Sequence, residues 1–461
     1  MAKKEKNYIL FSPLGDTDPI RGCYDGACLH IIRHYRPKVV YLFFTKDMAE
    51  KERHDQRYTR AIRKFDAALP IEYTFTDIEE PQNYDCFNQA FPKMVRELHH
   101  KYDQAQILLN LSSGTPQMKT VLAILATEND WCTGVQVSSP ERGSNRKNTA
   151  TRDDEDIDAL LENNFDDLGA ENRCSEPPLH VIRFFREKNQ ILSLIRKYEY
   201  KGAYEISNAS SNISKGIKLL LRHADLRSSL LFDEAERVLP RWQGKVLLVK
   251  DRNQRALLEY YYLMKIDQYK GRLPEMMVKI SPFLFEYLLT YVQYNDKKGF
   301  LQRCCRQDRG KYIVQPDQMD KDLLDFFNHA FSGKFRGGDL SFRYLSLYCQ
   351  YMTRQKLGKD FEMHCQLMAL NVMSRAHINK LGNLRNEAAH TIVDINETKF
   401  VERTGLSSQS VITEFGEMLN ILYNQSAVNK SIYDQINEWI YMELQKGCQA
   451  AEDSYSRLRK S

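Results

Sequence analysis

The first part of the chain alternates between short apolar runs and longer amphipathic segments. Five apolar or alternating runs have the length of β-strands and lie at residues 8–11, 39–44, 71–75, 107–111 and 135–137. The segments between them have the length of helices and cover residues 24–36, 48–69, 87–102 and 116–128. A strand–helix–strand succession predicts an α/β fold of Rossmann type, with a parallel sheet covered by helices on both faces.

This alternation stops after Val137. Residues 141–150 are polar and carry glycine, serine and asparagine, and residues 153–167 are dense in carboxylates. Because like charges packed so closely repel one another, we expect a flexible polar and acidic insertion near residues 141–175. The pair Pro177-Pro178 ends this region and marks a domain boundary.

From Leu179 onward the pattern is almost wholly helical, and apolar residues recur three and four positions apart. The recurring positions are Ile182, Phe185, Ile191, Ile195, Leu257, Tyr260, Tyr261, Met264, Phe361, Cys365, Met368, Val372, Ala376, Val411, Phe415, Met418, Leu422, Ile432, Ile436, Trp439 and Ile440. Glycines at 299, 310 and in the run 333–338 interrupt the series. We therefore predict an α/β domain at 1–177 that is followed by an all-α region at 178–461.

Composition bears on the cellular compartment but does not indicate the function. The 66 basic and 61 acidic side chains leave a formal charge of +5, so net charge gives no argument for RNA binding. The ten cysteines contain no C-x-x-C pair that would suggest a zinc site. The amino terminus lacks a long apolar signal region, and charged residues interrupt every apolar stretch before it could cross a bilayer. We expect a cytoplasmic chain with free thiols and no membrane association.

Ligands of parallel sheets bind outside the carboxyl ends of the strands, so the loops that follow the strands are the candidate sites. One such loop spans residues 12–16 and another spans 110–118, where a proline can open the next helix and leave its first N–H groups free for an anion. The second loop offers hydroxyls and a glycine, as a phosphate or nucleotide cradle would, but an ordinary capped turn fits it equally well. The candidate ligand-binding residues are Ser12, Asp16, Thr45, Asn110, Ser112, Ser113, Gly114, Thr115 and Gln117.

The segment 381–390, LGNLRNEAAH, carries candidate catalytic groups on a predicted helix that Asn383 could cap. Arg385 is a permanent cation that can hold a phosphate through two hydrogen bonds. His390 has the side chain whose ordinary pKa suits proton transfer near neutrality. Asn386 lies four positions before His390, on the same helix face. This combination suits RNA cleavage by the RNA's own 2′-hydroxyl, although Arg-x4-His also occurs often by chance.

Two family resemblances bear on whether this segment is a catalytic motif or a chance match. The R-N-x-x-x-H segment resembles the HEPN ribonuclease motif, written R-x4-6-H, and the loop L-S-S-G-T-P-Q-M resembles the ligand loop of CARF sensor domains. Their order and separation resemble the CARF–HEPN (Csm-type) accessory ribonucleases of type III-A CRISPR systems. The resemblance covers nearly the whole chain and makes 1–177 the CARF domain, 178–339 the connector and 340–461 the HEPN domain.

The resemblance implies a homodimer that binds cyclic oligoadenylate across its two-fold axis and cuts single-stranded RNA at a composite HEPN site. It implies that His390 moves a proton, Arg385 stabilises the phosphorane, Asn386 positions the groups, and no metal takes part. It favours the six-membered ring over the four-membered one, and it places Thr115 where some members cut the activator slowly. No stable association with the CRISPR effector complex is expected.

Two other interpretations remain open at this point. The α/β half could be a nucleotide sensor that controls a non-enzymatic helical regulator, although no helix rich in arginine and lysine follows a tight turn as DNA recognition would require. Alternatively, the chain could be a toxin-type HEPN ribonuclease that is controlled by a protein partner. Titration with cyclic adenylates separates this last alternative from a ring-activated ribonuclease.

Overall fold

The computed structural model describes residues 7–102, 105–140, 156–239, 252–296, 299–356, 375–390, 394–423 and 431–448. The chain forms two compact units, of which the first ends at Arg186 and the second begins at Glu187. The sequence-based domain boundaries at 177 and 339 remain predictions.

The first unit is built on a six-stranded sheet with the strand order β5-β4-β1-β6-β7-β8. Its strands and the hairpin strands β2 and β3 are β1 Tyr8–Pro13, β2 Ile20–Arg21, β3 Tyr24–Asp25, β4 Val39–Phe44, β5 Ile71–Phe75, β6 Gln106–Asn110, β7 Cys132–Val137 and β8 Cys174–Ser175. Its helices are α1 Ala27–Tyr35, α2 Lys46–Asp55, α3 Arg57–Phe65, α4 Ala90–Lys101, α5 Pro116–Glu128 and α6 Ile157–Glu162, with short 3-10 turns at Tyr84–Cys86 and Phe165–Leu168. All neighbouring pairs are parallel except the edge pair β7–β8. The predicted α/β fold with a parallel sheet is confirmed, and the short antiparallel edge strand β8 is an addition that was not predicted.

Alternate residues of each central strand enter the two halves of the core. Ile9 and Phe11 of β1 pack with Phe91 of α4, whereas Leu10 packs with Ile31 of α1 and Tyr58 of α3. Side chains of successive strand residues point to opposite faces, so helices cover both faces of this sheet.

Two predicted helices differ from the structure in their extent. The segment predicted as one helix at 24–36 begins as a strand, because β3 pairs with β2 in a hairpin. The segment predicted at 48–69 is two helices, α2 and α3, separated at Gln56, whose backbone is left-handed at φ 55°. A non-glycine residue in this conformation leaves no signature in the hydrophobic pattern.

The expectation of a flexible acidic loop is wrong for the described part of the insertion, residues 156–175. Several of its carboxylates are paired: Asp166 accepts two hydrogen bonds from Arg173 at 2.9 Å, and Asp167 accepts one from Arg33 at 2.6 Å. The same Arg33 also donates to Asp25 of the sheet domain, at 2.6 and 3.0 Å. Burial opposes ionisation of Asp25, but hydrogen bonds from His30, Arg33 and other partners outweigh it and lower its pKa to about 2. These ion pairs fix the segment to the sheet domain.

The second unit is mainly helical, as predicted. Its helices, including α7 from the end of the first unit, are α7 His180–Arg196, α8 Tyr200–Ala209, α9 Lys215–Ser228, α10 Phe232–Val238, α11 Arg252–Tyr269, α12 Leu273–Asn295, α13 Phe300–Arg303, α14 Lys321–Ala330, α15 Phe342–Arg354, α16 Arg375–His390, α17 Glu397–Thr404, α18 Ser408–Leu422 and α19 Ile432–Gln445. The prediction of an all-α connector missed a small antiparallel sheet of β9 Cys305–Asp308, β10 Lys311–Val314 and β11 Gly338–Asp339.

Helix α12 is the centre of this unit, because α11, α15, α16 and α18 all pack against it. The apolar stripe that begins at Phe361 and runs to Val372 lies outside the described residues. Within the described part of the chain, every helix is too short or too polar to cross a membrane.

Candidate functional site

The two predicted ligand loops meet at the carboxyl ends of the adjacent parallel strands β1 and β6. Gly15 of the first loop and Gly114 of the second are in close contact, since a Cβ at Gly15 would lie 3.0 Å from the amide nitrogen of Gly114. Gly114 is left-handed at φ 79°, and a Cβ there would lie 2.7 Å from the sulfur of Met118. The backbone of Gly114 therefore favours glycine, and glycine at position 15 allows the close approach of the two loops.

Asn110 organises the second loop from within the protein. Its amide nitrogen donates to the hydroxyls of Ser12 at 2.9 Å and Ser113 at 2.8 Å. Its carbonyl oxygen accepts from the backbone N–H groups of Ser112 at 2.9 Å and Ser113 at 3.2 Å. Because Asn110 is fully buried, it shapes the loop and presents none of these atoms to a ligand.

Asp18 is a second buried organiser, and the sequence analysis missed it. Its carboxylate accepts from the backbone N–H groups of Gly15 at 3.3 Å and Cys28 at 3.0 Å. Burial raises the pKa of Asp18, while these bonds and one from Ser113 oppose that rise. The carboxylate thus joins the first loop both to helix α1 and to the second loop.

Above these buried groups lies a cavity of about 790 Å³. Four predicted ligand residues line it, namely Asp16, Thr45, Gly114 and Thr115. Three others, Ser12, Asn110 and Ser113, are buried in the loop network described above. The hydroxyl of Ser112 accepts from the backbone N–H of Val137 at 2.8 Å, and neither Ser112 nor Gln117 is among the cavity-lining residues.

Helix α2 supplies a wall of the cavity that the sequence analysis did not anticipate. Asp47, Lys51 and His54 line it at helical spacing, together with Glu50. The ammonium of Lys51 pairs with Asp16 at 3.1 Å, and His54 is exposed. The sequence could have indicated this wall. Thr45 marks the end of β4, and the helix that follows places residues one and two turns later on the same face. The wall mixes cations and carboxylates, so it can contact phosphates as well as base amino groups.

Thr115 begins helix α5 as its N-cap. Its hydroxyl accepts from the backbone N–H of Met118 at 3.4 Å and donates to the carbonyl of Pro81 at 2.8 Å. Pro116 occupies the first helical position, where its missing N–H costs nothing. The helix N-terminus therefore lies at the cavity, which favours an anion there.

Replacing Asn110 by alanine tests the structural role of the loop network. The change leaves buried hydroxyl and N–H groups without partners, so we expect the free energy of unfolding to fall by about 1–3 kcal/mol. Urea unfolding measures this loss. The exposed Asn88, which makes one long bond to Asp85 at 3.3 Å, provides the control: Asn88→Ala should change stability by less than about 0.5 kcal/mol. Equal stabilities of the two variants would contradict the assignment.

In the second unit, Arg385, Asn386 and His390 all lie on α16. Leu381 and Leu384 of this helix are buried, whereas Asn386 and His390 are exposed. Helix α12, against which α16 packs, fixes the orientation of the helix. The exposed face therefore presents an imidazole and an amide four residues apart, as the spacing predicted.

The guanidinium of Arg385 donates to the side-chain oxygen of Asn386 at 3.0 Å, so these two groups are already in contact. Glu387, between them and His390, pairs with Arg403 of α17 and ties the end of α16 to its neighbour. The prediction that Asn383 caps this helix is wrong, because α16 begins at Arg375 and Asn383 lies in its interior.

Comparison with known proteins gives consistent matches along the chain. Residues 71–174 match the Cas_Csm6 CARF domain, residues 182–228 the CRISPR-associated protein Csm6 6H domain, and residues 246–441 the Cas_Csm6 HEPN domain. The CRISPR system endoribonuclease Csm6 of Enterococcus italicus is 28% identical over 448 residues, covering 94% of this chain and 99% of the relative. Its counterpart in Mycobacterium tuberculosis is 28% identical over 441 residues, covering 95% and 98%.

The structure of Enterococcus italicus Csm6 bound to cyclic hexa-2′-fluoro-hexa-dAMP shares the fold, with a TM-score of 0.63 and 23% identity. That likeness covers 95% of this chain and 99% of the other. Three domain models of one protein family thus match in order, and full-length relatives agree with them. The chain belongs to the CARF–HEPN (Csm6) family of CRISPR-associated accessory ribonucleases.

Proposed function

We propose that this protein is a CRISPR endoribonuclease whose CARF domain senses a cyclic oligoadenylate and whose HEPN domain cuts single-stranded RNA. The observation that carries the proposal is the grouping of Arg385, Asn386 and His390 on one exposed stretch of α16. The cavity at the strand ends of the first unit supports the sensing role. The names of the relatives, which are CRISPR system endoribonucleases, support the same activity.

The HEPN residues can carry out transesterification without another group. The 2′-hydroxyl of the RNA attacks the neighbouring phosphorus, the bond to the 5′-oxygen breaks, and a 2′,3′-cyclic phosphate remains. His390 accepts the hydroxyl proton or donates one to the leaving oxygen. Arg385 stabilises the phosphorane charge, and Asn386 positions the guanidinium through the bond between them. Because the nucleophile belongs to the substrate, the reaction needs no metal-bound water.

The CARF cavity is proposed to bind the ring as part of a homodimer. A cyclic oligoadenylate has rotational symmetry and can lie across a two-fold axis, with equivalent phosphates meeting equivalent loops. Gly114, Thr115 and the start of α5 would hold phosphates, and Asp16 and Thr45 would hold the nucleosides. We favour the six-membered ring, since the related Enterococcus italicus protein was solved with a cyclic hexa-adenylate analogue. Ser12, Asn110 and Ser113 belong to the proposed ligand-binding set by holding the loop from within the protein, and Ser112 and Gln117 complete that set.

A second reaction is proposed at the same cavity, namely slow cleavage of the activator ring. The hydroxyl of Thr115 lines the cavity and is oriented by its bonds to Met118 and Pro81. A hydroxyl so placed can orient the ribose of the ring for attack on its own phosphate. Such cleavage would end the signal. We place the whole protein in type III CRISPR defence, in the cytoplasm, acting without stable association with the effector complex.

The decisive test measures cleavage of a fluorescent single-stranded RNA in the presence of cyclic tetra-adenylate or cyclic hexa-adenylate. We expect cleavage to depend on one of the rings, with the six-membered ring more effective. Cleavage that is independent of both rings would favour control by a protein partner instead. No cleavage under any condition would overturn the ribonuclease assignment.

The mechanism also predicts how the reaction responds to metal removal and to the substrate's sugar. Cleavage should continue at an unchanged rate in excess chelator, because the attacking oxygen is the RNA's own. A substrate with a 2′-deoxy sugar at the cleaved position should resist cleavage, while a 2′-deoxy sugar elsewhere serves as the control. Loss of activity in chelator, with recovery on adding a divalent ion, would move the enzyme into a metal-dependent class.

A further inference from the structure

Helix α16 carries a stripe of amides that leads to the catalytic histidine. Asn379, Asn383, Asn386 and His390 are spaced by four, three and four residues, so they share one face of the helix. All four side chains are exposed. At 1.5 Å per residue, Asn383 lies roughly 10 Å along the helix axis from His390. The proposed catalytic function uses only Asn386 and His390, which leaves two amides without a role.

The three asparagines line a groove of about 470 Å³. Helices α12 and α15 form its other walls, through Ile280, Ser281, Leu284 and Phe342. Ile280 and Leu284 are buried, while Ser281 and Phe342 are half-buried and remain accessible. The groove therefore combines an aromatic ring, an apolar base and several polar groups, which is the combination that holds a flat heteroaromatic ring.

Gly382 also lines this groove, inside a helix where glycine is a poor helix former. Its backbone is helical, and among the described residues a Cβ built on it meets nothing within 4 Å. Packing of the described chain thus gives no reason for a glycine at this position. What the missing side chain leaves is open space in the groove.

We propose that this groove binds a nucleobase of the RNA substrate next to the cleaved phosphate, and that Asn379 and Asn383 determine base preference. The inference rests on the proposed ribonuclease function. An asparagine amide offers one donor and one acceptor, which match N7 and N6 of adenine, whereas the same edge of guanine presents two acceptors. Phe342 supplies a stacking surface of the kind that single-stranded RNA sites use. The groove accordingly selects adenine.

The experiment compares ring-activated cleavage of oligo(A) and oligo(U) by the full-length protein. The wild-type chain should prefer oligo(A) in kcat/KM by about tenfold or more. In Asn379→Ala and Asn383→Ala this A-to-U ratio should fall about tenfold. Gln409→Ala, which removes an exposed helical amide on α18 outside the groove-lining set, is the matched control and should leave the ratio unchanged.

A groove-filling variant separates base binding from folding. Gly382→Leu places a side chain where there is space, so it should lower the A-to-U ratio without lowering the melting temperature. An unchanged ratio in all three groove variants, or no base preference in the wild-type chain, would overturn the groove assignment alone. A wild-type chain that cuts no RNA would overturn it together with the ribonuclease function. Variants that lose dimerisation would assign the asparagines to a subunit contact and also overturn it.

Discussion

Replacing His390 by alanine should reduce ring-activated RNA cleavage by about 10²–10⁴-fold, which is the usual contribution of a positioned general acid or base. The side chain is exposed at the end of α16, so its removal sacrifices little packing and should leave the melting temperature nearly unchanged. Arg385→Ala should have a similar effect, because the phosphorane then loses its cation. Single-turnover cleavage of a fluorescent RNA, at saturating ring, measures both losses.

The control for this variant is another exposed histidine in the same unit. His329 lies at the end of α14, and His329→Ala should retain wild-type turnover. Arg385→Lys is informative as well, since a lysine keeps the charge but loses the planar pair of donors. It should recover only part of the lost activity. Turnover near the wild-type value in His390→Ala would remove His390 from the mechanism.

The sequence predicted the centre of the sheet because β1, β4 and β6 are buried on both faces and therefore read as nearly continuous apolar runs. It predicted α5 to the residue, since Thr115 and Pro116 mark a helix start by local chemistry. The same reasoning failed at Gln56, where a left-handed residue that is neither glycine nor proline divides two helices. This turn is held by a local side-chain bond between the two helices: the buried Glu52 accepts from the backbone N–H of Tyr58 at 3.0 Å. The hydrophobic pattern carries no sign of such a bond.

The acidic segment near residue 166 shows a second limit of sequence reasoning. In the sequence alone, the closely spaced carboxylates repel one another, and this repulsion suggests a loop. In the fold, Asp166 accepts at 2.8 Å from the backbone N–H of Asp25, and Asn164 donates at 2.7 Å to the Asp25 carboxylate. These partners lie about 140 positions away along the chain, so composition within a window cannot identify them.

At both candidate sites, the sequence predicted the residues of the motif better than the residues that surround it. The strand-end rule brought Asp16, Thr45, Gly114 and Thr115 to one cavity. It did not distinguish residues that line the cavity from those that support it, such as Asn110, because burial is a property of the fold. Likewise, the HEPN motif was readable on one helix, whereas its neighbouring groove needs side chains from two other helices.

Replacing Gly114 by tryptophan should abolish ring-dependent activation while leaving the HEPN residues intact. A Cβ at this position meets the sulfur of Met118 at 2.7 Å and Pro13 at 3.3 Å, and the backbone is left-handed, so a side chain must displace Met118 and strains the loop. An indole would also occupy the cavity that Gly114 lines. If the chain is the ring-activated homodimer proposed above, the ring acts on the HEPN site only through its preference for one arrangement of that dimer, so loss of binding removes the activation entirely.

The test pairs calorimetric titration of cyclic hexa-adenylate with RNA cleavage, for Gly114→Trp and a matched glycine variant. Gly22 in the β2–β3 turn also has a positive φ, of 60°, but a Cβ there meets nothing within 4 Å among the described residues. Gly22→Trp therefore imposes similar backbone strain outside the cavity and should keep both ring affinity and activation. We expect Gly114→Trp to lose at least about 100-fold in affinity, or more than 2.7 kcal/mol. Normal ring-dependent activation of that variant would show that the sensor site lies elsewhere on the chain.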